Sequence, residues 1–226
     1  MDVRDALARR VAVRAFRPDP VPQAVVRDIL AAAALAPSGG NLQPWRVHAL
    51  AGDALRRFTD LVAARFAAGV VEAAEHDVYP PDLGEPYRSR RRAAGRARYA
   101  ALGGAGASPE LLAELTRRNY RFFGAPVGLF FCLDRRLGAP QWTDLGLYLQ
   151  SVMLMAASRG LDTCPQAVWT NWPRTIADYL DLAPEMMIVA GMALGYRDEA
   201  DPLCLAPTTR VETDEFASFI GFDSAE

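Results

Sequence analysis

The chain has 226 residues, 51% of them hydrophobic, which suffices for a buried core and lies within the span of one ordinary domain. Its 25 basic and 27 acidic residues leave a formal charge of -2, so no overall field gathers nucleic acid or an anionic membrane, and neither is expected as a partner. Lysine is absent, so the cationic side chains are arginines, which grip phosphate and carboxylate with a planar fork.

In chain order, Val3, Ala6, Leu7 and Arg10 recur at helical spacing, and RPDPVP at 17–22 then forbids a continuing helix. A second helix is predicted over about 22–35, with Val25, Val26, Ile29, Leu30 and Ala33 on one side and an end at Pro37. PSGGNLQP at 37–44 is turn chemistry: Gly39 and Gly40 can take positive φ, and Pro44 fixes the exit. A strand at 45–50 and a helix at about 53–67 follow. Residues 76–107 read as an irregular excursion, in which YPPDLGEPY leads into an arginine-rich helix, RSRRRAAGRARYAAL, and then a loose GGAGASP. It is too poor in large apolar residues to build its own core, so residues 1–226 are expected to form one domain.

Beyond it, a helix at 109–122, a buried strand at 127–133 and a long helix at about 141–159 stopped by Gly160 are predicted. A further helix starts near Asn171, a suitable cap with Pro173 just inside it, and is followed by the strand MMIVAGMAL and a tail with little periodicity. Helices and strands interleave without regular βαβ alternation, which points to an α+β fold with helices packed on a small sheet.

Several chemistries are set aside by spacing. Cys132, Cys164 and Cys204 are odd in number and far apart, so neither a disulfide framework nor a metal cage is expected, and a reducing cytoplasm fits best. The opening MDVRDALARRVAVRAF lacks the apolar core of a signal peptide, and the longest apolar stretch, about 145–157, is shorter than the ~20 residues that cross a bilayer. It is expected to be a buried helix. GGAGAS at 103–108 follows a helix instead of a strand, which argues against a dinucleotide fingerprint and for a loop. His48 in a strand and His76 in the excursion, with no GxSxG elbow, read as a packed or edge histidine and a solvated one. Arg88, Arg91, Arg92 and Arg96 fall within one sector of a helix. They form either a solvated face or an anion clamp for a substrate carboxylate or a nicotinamide phosphate.

RRVAVRAF at 9–16 resembles the RRSxRxF entry of the nitroreductase family of FMN enzymes, and APSGGNLQPWRV at 36–47 is similar to that family's PSxxNxQPW segment. The likeness continues through RNYRFFGAPVGLFF at 118–131, QWTDLGLYLQSVMLMAASRGLDTCPQAVW at 141–169 and GMALGYRD at 191–198, and looks nearest the branch that includes nitrobenzoate reductases. The resemblance implies a nitroreductase-like fold, a small mixed sheet flanked by helices in an intertwined homodimer, with two active sites at the interface and the sheet completed by the partner's C-terminal segment. It implies FMN as cofactor, NAD(P)H as co-substrate, ping-pong transfer through flavin N5, and a small electron-poor acceptor, a nitroaromatic first. An alkene or quinone reductase, a flavin-degrading enzyme and a non-catalytic flavin-binding protein remain as alternatives on the same site.

Residue by residue, the resemblance puts Arg10, Val11, Ala12 and Arg14 at the flavin, with Arg210 as a third basic position. Arg10 and Arg14 lie four apart around a helix break, where both forks could converge on the FMN phosphate. Pro37, Ser38, Gly39 and Asn41 match the loop that, in the family, reaches the flavin from the partner subunit. Pro165, Gln166, Ala167 and Val168 resemble the segment whose backbone N–H, here that of Val168, points at flavin N5. Asn119 and Arg121 align near the flavin pyrimidine, and Trp169 and Trp172 are candidates either for a stacking wall or for core. Two departures remove phosphate contacts: Ala12 stands where the family has serine, and Thr208 where a basic residue is common.

Overall fold

The computed structural model describes residues 2–102, 108–205 and 208–222. Its sheet has four strands, β1 (Arg46–Ala51), β2 (Val127–Asp134), β3 (Asp162–Gln166) and β4 (Met186–Gly195), in the order β1-β2-β4-β3, each antiparallel to its neighbours. The parallel component expected of a mixed sheet is a single bridge, Ala12 to Thr163, beside which the Val13 N–H donates to the Thr163 carbonyl at 3.0 Å. This bridge lays the segment after the first helix along the outer edge of β3.

Both faces of the sheet are covered, so β2 reads as an unbroken apolar run, yet its period of two sorts the side chains cleanly. Val127, Leu129, Phe131 and Leu133 enter a core beneath α2 (Gln23–Ala33) and α6 (Ala139–Ser158), with Ile29, Tyr148 and Val152. Phe130 and Cys132 enter the opposite core, beneath α3 (Gly52–Ala67) and α7 (Pro173–Leu180), with Phe58, Val62, Phe122, Trp169 and Ile176. Trp169 lies so close to β4 that a Cβ on Gly191 would fall 2.2 Å from the indole Cδ1, so only glycine admits the ring there.

The remaining helices are α1 (Val3–Arg9), capped by the Asp2 carboxylate on the Val3 N–H at 2.6 Å, the arginine-rich α4 (Tyr87–Ala101), and α5 (Pro109–Asn119), capped by Ser108. α5 stops before the expected 122 because Phe122 and Phe123 take positive φ of 50 and 55 in a tight turn that buries both rings. Asn171 does not cap α7. Glu72 does so from a distant loop, accepting the Arg174 N–H at 2.8 Å, the Thr175 N–H at 3.2 Å and the Thr175 hydroxyl.

No helix among the described residues is long and apolar enough to cross a membrane. α6, which contains the apolar stretch 145–157, buries Leu145, Val152 and Ala156 but leaves Leu147 exposed, so it is not the wholly buried helix its composition suggests. The three cysteines are free and buried. Burial pushes the Cys132 thiol up to about 12 and that of Cys164 to about 11, which keeps both protonated at neutral pH. Of the glycine-rich loop read at 103–108, all but Ser108 lies outside the described residues.

Candidate functional site

A cavity of about 770 Å³ opens where the segment after α1, the end of α5 and the exit of β3 meet. Arg14 reaches it from an extended stretch in which its neighbours Val13 and Ala15 are buried the other way. Asn119 and Phe123 supply one wall, residues 164–168 another, and residues 76–81 of the excursion a third.

The wall at 164–168 is held by a relay of hydrogen bonds. Gln166, buried in β3, donates its amide to the Asn119 carbonyl at 2.7 Å and to Asn119 Oδ1 at 2.6 Å, and its Oε1 accepts the Trp169 indole N–H at 3.2 Å. Its side chain is therefore committed to the fold. Its effect is to lock the 3-10 turn Ala167–Asn171 against the end of α5. Val168 is the second residue of that turn, so its N–H precedes the first i→i+3 bond, while the residue itself lines the cavity.

The predicted phosphate arginines divide into two places. Burial, and then the nearby Arg210 guanidinium, hold the Arg10 pKa below its ordinary value. Arg210 is steadied by the Thr208 hydroxyl at 3.0 Å and the Thr209 carbonyl at 2.9 Å, so the residue standing in for a family cation orients one instead. Arg14 is in the cavity with Arg98 of α4, whose pKa is lowered by burial first and by Arg14 second. The break after α1 is extended at Arg10, with ψ 105. Among the described residues no carboxylate lies within 4.0 Å of Arg10, Arg14, Arg98 or Arg210. Two clusters of like charge result, Arg10 with Arg210 and Arg14 with Arg98, the second in a cavity that Asp77 also lines.

The loop of Pro37, Ser38, Gly39 and Asn41 lies elsewhere, against α6. Ser38 Oγ accepts the Gln43 N–H at 3.0 Å, Gln43 donates its amide to the Asn41 carbonyl at 3.2 Å, and the Gly39 N–H donates to Asp144 Oδ1 at 3.1 Å. Positive φ falls on Gly40, Asn41 and Gln43, not on Gly39. Asp144 was not singled out from the sequence. It is buried, and its Oδ2 has no partner among the described residues.

Several expected residues do not join the cavity. Arg121 is ion-paired with Asp60 at 3.1 Å and lines a separate cavity beside Gly52 and Pro126. Trp169 and Trp172 are core, 0% and 3% exposed, because Phe122 stacks on Trp169 at 4.6 Å and Tyr120 packs edge-on to Trp172 at 5.8 Å. Val11 is exposed and Ala12 is spent on the bridge to Thr163. His76 is not solvated. It stands edge-on to Trp142 at 4.9 Å, with Nε2 3.2 Å from the Ile188 carbonyl, and contributes to the cavity wall. His48, in β1, has its pKa lowered by burial, in keeping with a packed histidine.

Arg88, Arg91, Arg92 and Arg96 share one surface, as their helical sector requires, and line a second cavity of about 670 Å³ with Arg98. The sector reading missed Arg98, although it continues the same face.

Residues 7–196 match the model of the Nitroreductase family. The chain is 37% identical over 222 residues to a 4-nitrobenzoate reductase of Pseudomonas putida, covering 98% of this chain and 97% of that one. It is 38% identical over 219 residues to a nitrobenzene nitroreductase of Ectopseudomonas oleovorans, with 96% of each covered. The crystal structure of the FMN and NADPH-dependent nitroreductase NfnB from Sphigopyxis sp. strain HMH superposes with a TM-score of 0.94 at 41% identity, over 98% of this chain and 100% of that one. Family model, full-length relatives and shared fold agree with the motifs at 9–16 and 36–47, and the chain belongs to the nitroreductase family.

Proposed function

We propose that the chain is an FMN-dependent nitroreductase that uses NAD(P)H to reduce small nitroaromatic compounds by a ping-pong mechanism. The observation that carries this is one cavity lined by Val168, at the start of a 3-10 turn, by Arg14, Arg91 and Arg98 without ion pairs among the described residues, and by the ring of Phe123. The donor set fits FMN, whose phosphate needs cations without carboxylates and whose ring edge needs a fixed N–H. When bound, FMN supplies the two-electron chemistry, taking hydride from reduced nicotinamide and passing it to the acceptor.

The chain's own residues divide the remaining tasks. Arg10 and Arg210 hold the phosphate, and Arg14 places positive charge within the cavity, where it favours a ring that gains electrons. Val168 offers its N–H, and Gln166, Asn119 and Trp169 keep that donor from turning away. Phe123 and Pro165 exclude water from one side.

The working unit is a homodimer. Phe216, Phe219, Ile220 and Phe222 are 64 to 88% exposed, Leu35, Leu42 and Leu147 are also uncovered, and β1 forms an unpaired sheet edge. A monomer rarely leaves so many large apolar groups in water, and an open edge invites a further strand. In the dimer, residues 38–41 of one subunit close the cavity of the other.

An acceptor panel tests the activity. With NADPH and NADH supplied separately, the flavin-loaded protein should turn over 4-nitrobenzoate and nitrobenzene. Reduction of quinones or activated alkenes with nitro groups untouched would contradict nitro reduction, and loss of bound flavin during aerobic turnover would indicate flavin breakdown.

A further inference from the structure

The chemistry at Val168 leaves the arginine wall of α4 unused. Arg88, Arg91, Arg92, Arg96 and Arg98 face the second cavity, where Asp82 is the one acidic lining residue. Arg90, on the same helix but outside this lining, bonds Glu215 at 3.2 Å. Among the described residues the five lining arginines have no carboxylate within 4.0 Å.

Two of these guanidinium groups are also fixed in place. Arg88 donates from Nε to the Leu83 carbonyl at 2.9 Å, and Arg91 sits over the Tyr79 ring at 4.1 Å. Both keep terminal N–H groups for a ligand. The second cavity adjoins the first, since Pro81, Arg91 and Arg98 line both. A long ligand could therefore lie with one end beside Val168 and the other among the arginines.

We propose that this second cavity binds the 2′-phosphorylated adenosine end of NADPH, and that Arg88, Arg92 and Arg96 make the enzyme choose NADPH over NADH. The inference rests on the nitroreductase reading above and deepens it by naming the co-substrate. Charge decides between a phosphate and a substrate carboxylate. A phosphate monoester carries about -1.5 to -2 at neutral pH and offers three acceptor oxygens, which suits several forks at once, whereas a benzoate carries a single charge that Arg14, Arg91 and Arg98 already meet in the first cavity. Arg88, Arg92 and Arg96 line only the second cavity, not the one beside Val168. The flat guanidinium planes and the Tyr99 ring also suit a purine.

The test uses flavin-loaded enzyme and a triple variant, Arg88→Gln, Arg92→Gln and Arg96→Gln, checked for flavin content and circular dichroism. Calorimetry with adenosine 2′,5′-bisphosphate and adenosine 5′-monophosphate should show the bisphosphate binding at least about tenfold more tightly to the unmodified enzyme, and that advantage should vanish in the variant. In turnover, the variant's KM for NADPH should rise by about tenfold or more while that for NADH and the kcat at saturating NADPH stay nearly unchanged. Equal affinity for the two nucleotides, or equal rises in KM for both nicotinamides, would overturn the proposal. So would a raised KM for 4-nitrobenzoate with that for NADPH unchanged, since the wall would then serve the acceptor's carboxylate. The binding arm needs no turnover: tight bisphosphate binding without reduction by either nicotinamide would sink the nitroreductase reading and leave the phosphate site standing.

Discussion

Replacing Arg10 and Arg210 together by alanine should strip the protein of its flavin. Each charge-assisted bond to a phosphate is worth about 1.5 to 3 kcal/mol, so losing two raises the dissociation constant by roughly two to four decades. The burial of Arg10 beside Arg210, with no acidic neighbour among the described residues, is what makes the pair costly without an anion and effective with one. Arg14→Ala should weaken binding by only the single-bond amount, about 1.5 to 3 kcal/mol, because Arg14 stands with Arg98 in the cavity instead of beside Arg10. Flavin absorbance after dialysis at fixed salt measures both. Full occupancy in the double variant would contradict the assignment of the phosphate site.

The second large effect is expected from Val168→Pro, which removes one backbone N–H and leaves the cavity's side chains in place. Removing a preorganised donor from a reacting centre costs about 10² to 10³ in turnover. Proline is tolerated in the first turn of a helix, so the 3-10 turn Ala167–Asn171 should survive, and bound flavin with unchanged circular dichroism would verify it. Val168→Ala keeps the N–H and should turn over almost normally. Unimpaired turnover by the proline variant with flavin bound would remove Val168 from the mechanism.

Much of the fold was legible because its elements follow local rules. α2 shows an apolar face and proline at its start, β2 is an apolar run of strand length, and Gly160 ends α6 at positive φ, all of which sequence spacing exposes. β3 was missed because DTCPQ is short and contains proline, features of an edge strand whose pairing is decided by β4. The cap on α7 was misassigned to Asn171 because Glu72, which supplies it, is remote in sequence.

The site was legible where the chemistry belongs to a residue and illegible where it belongs to a neighbour. The segment at 165–168, Arg14 and Asn119 do meet around one cavity. Arg10 stands beside Arg210, and Arg14 shares its cavity with Arg98. Trp169 and Trp172 had the composition of a stacking wall, and only packing against Phe122, Tyr120 and Gly191 puts them in the core. Asp144 and the Gln166 relay could not be found by spacing, since each matters through a partner distant in sequence.

The measurement that bears most directly on the account is anaerobic absorbance spectroscopy of the purified, flavin-loaded protein. Stoichiometric NADPH should bleach the flavin band fully, and a nitroaromatic such as 4-nitrobenzoate, added after the nicotinamide is spent, should restore it. Two separable half-reactions of this kind are what a single cavity serving both substrates in turn requires. A flavin band that stays unbleached by both NADPH and NADH, or one that bleaches and is not restored by any nitroaromatic, would contradict the assignment of this chain as a nitroreductase.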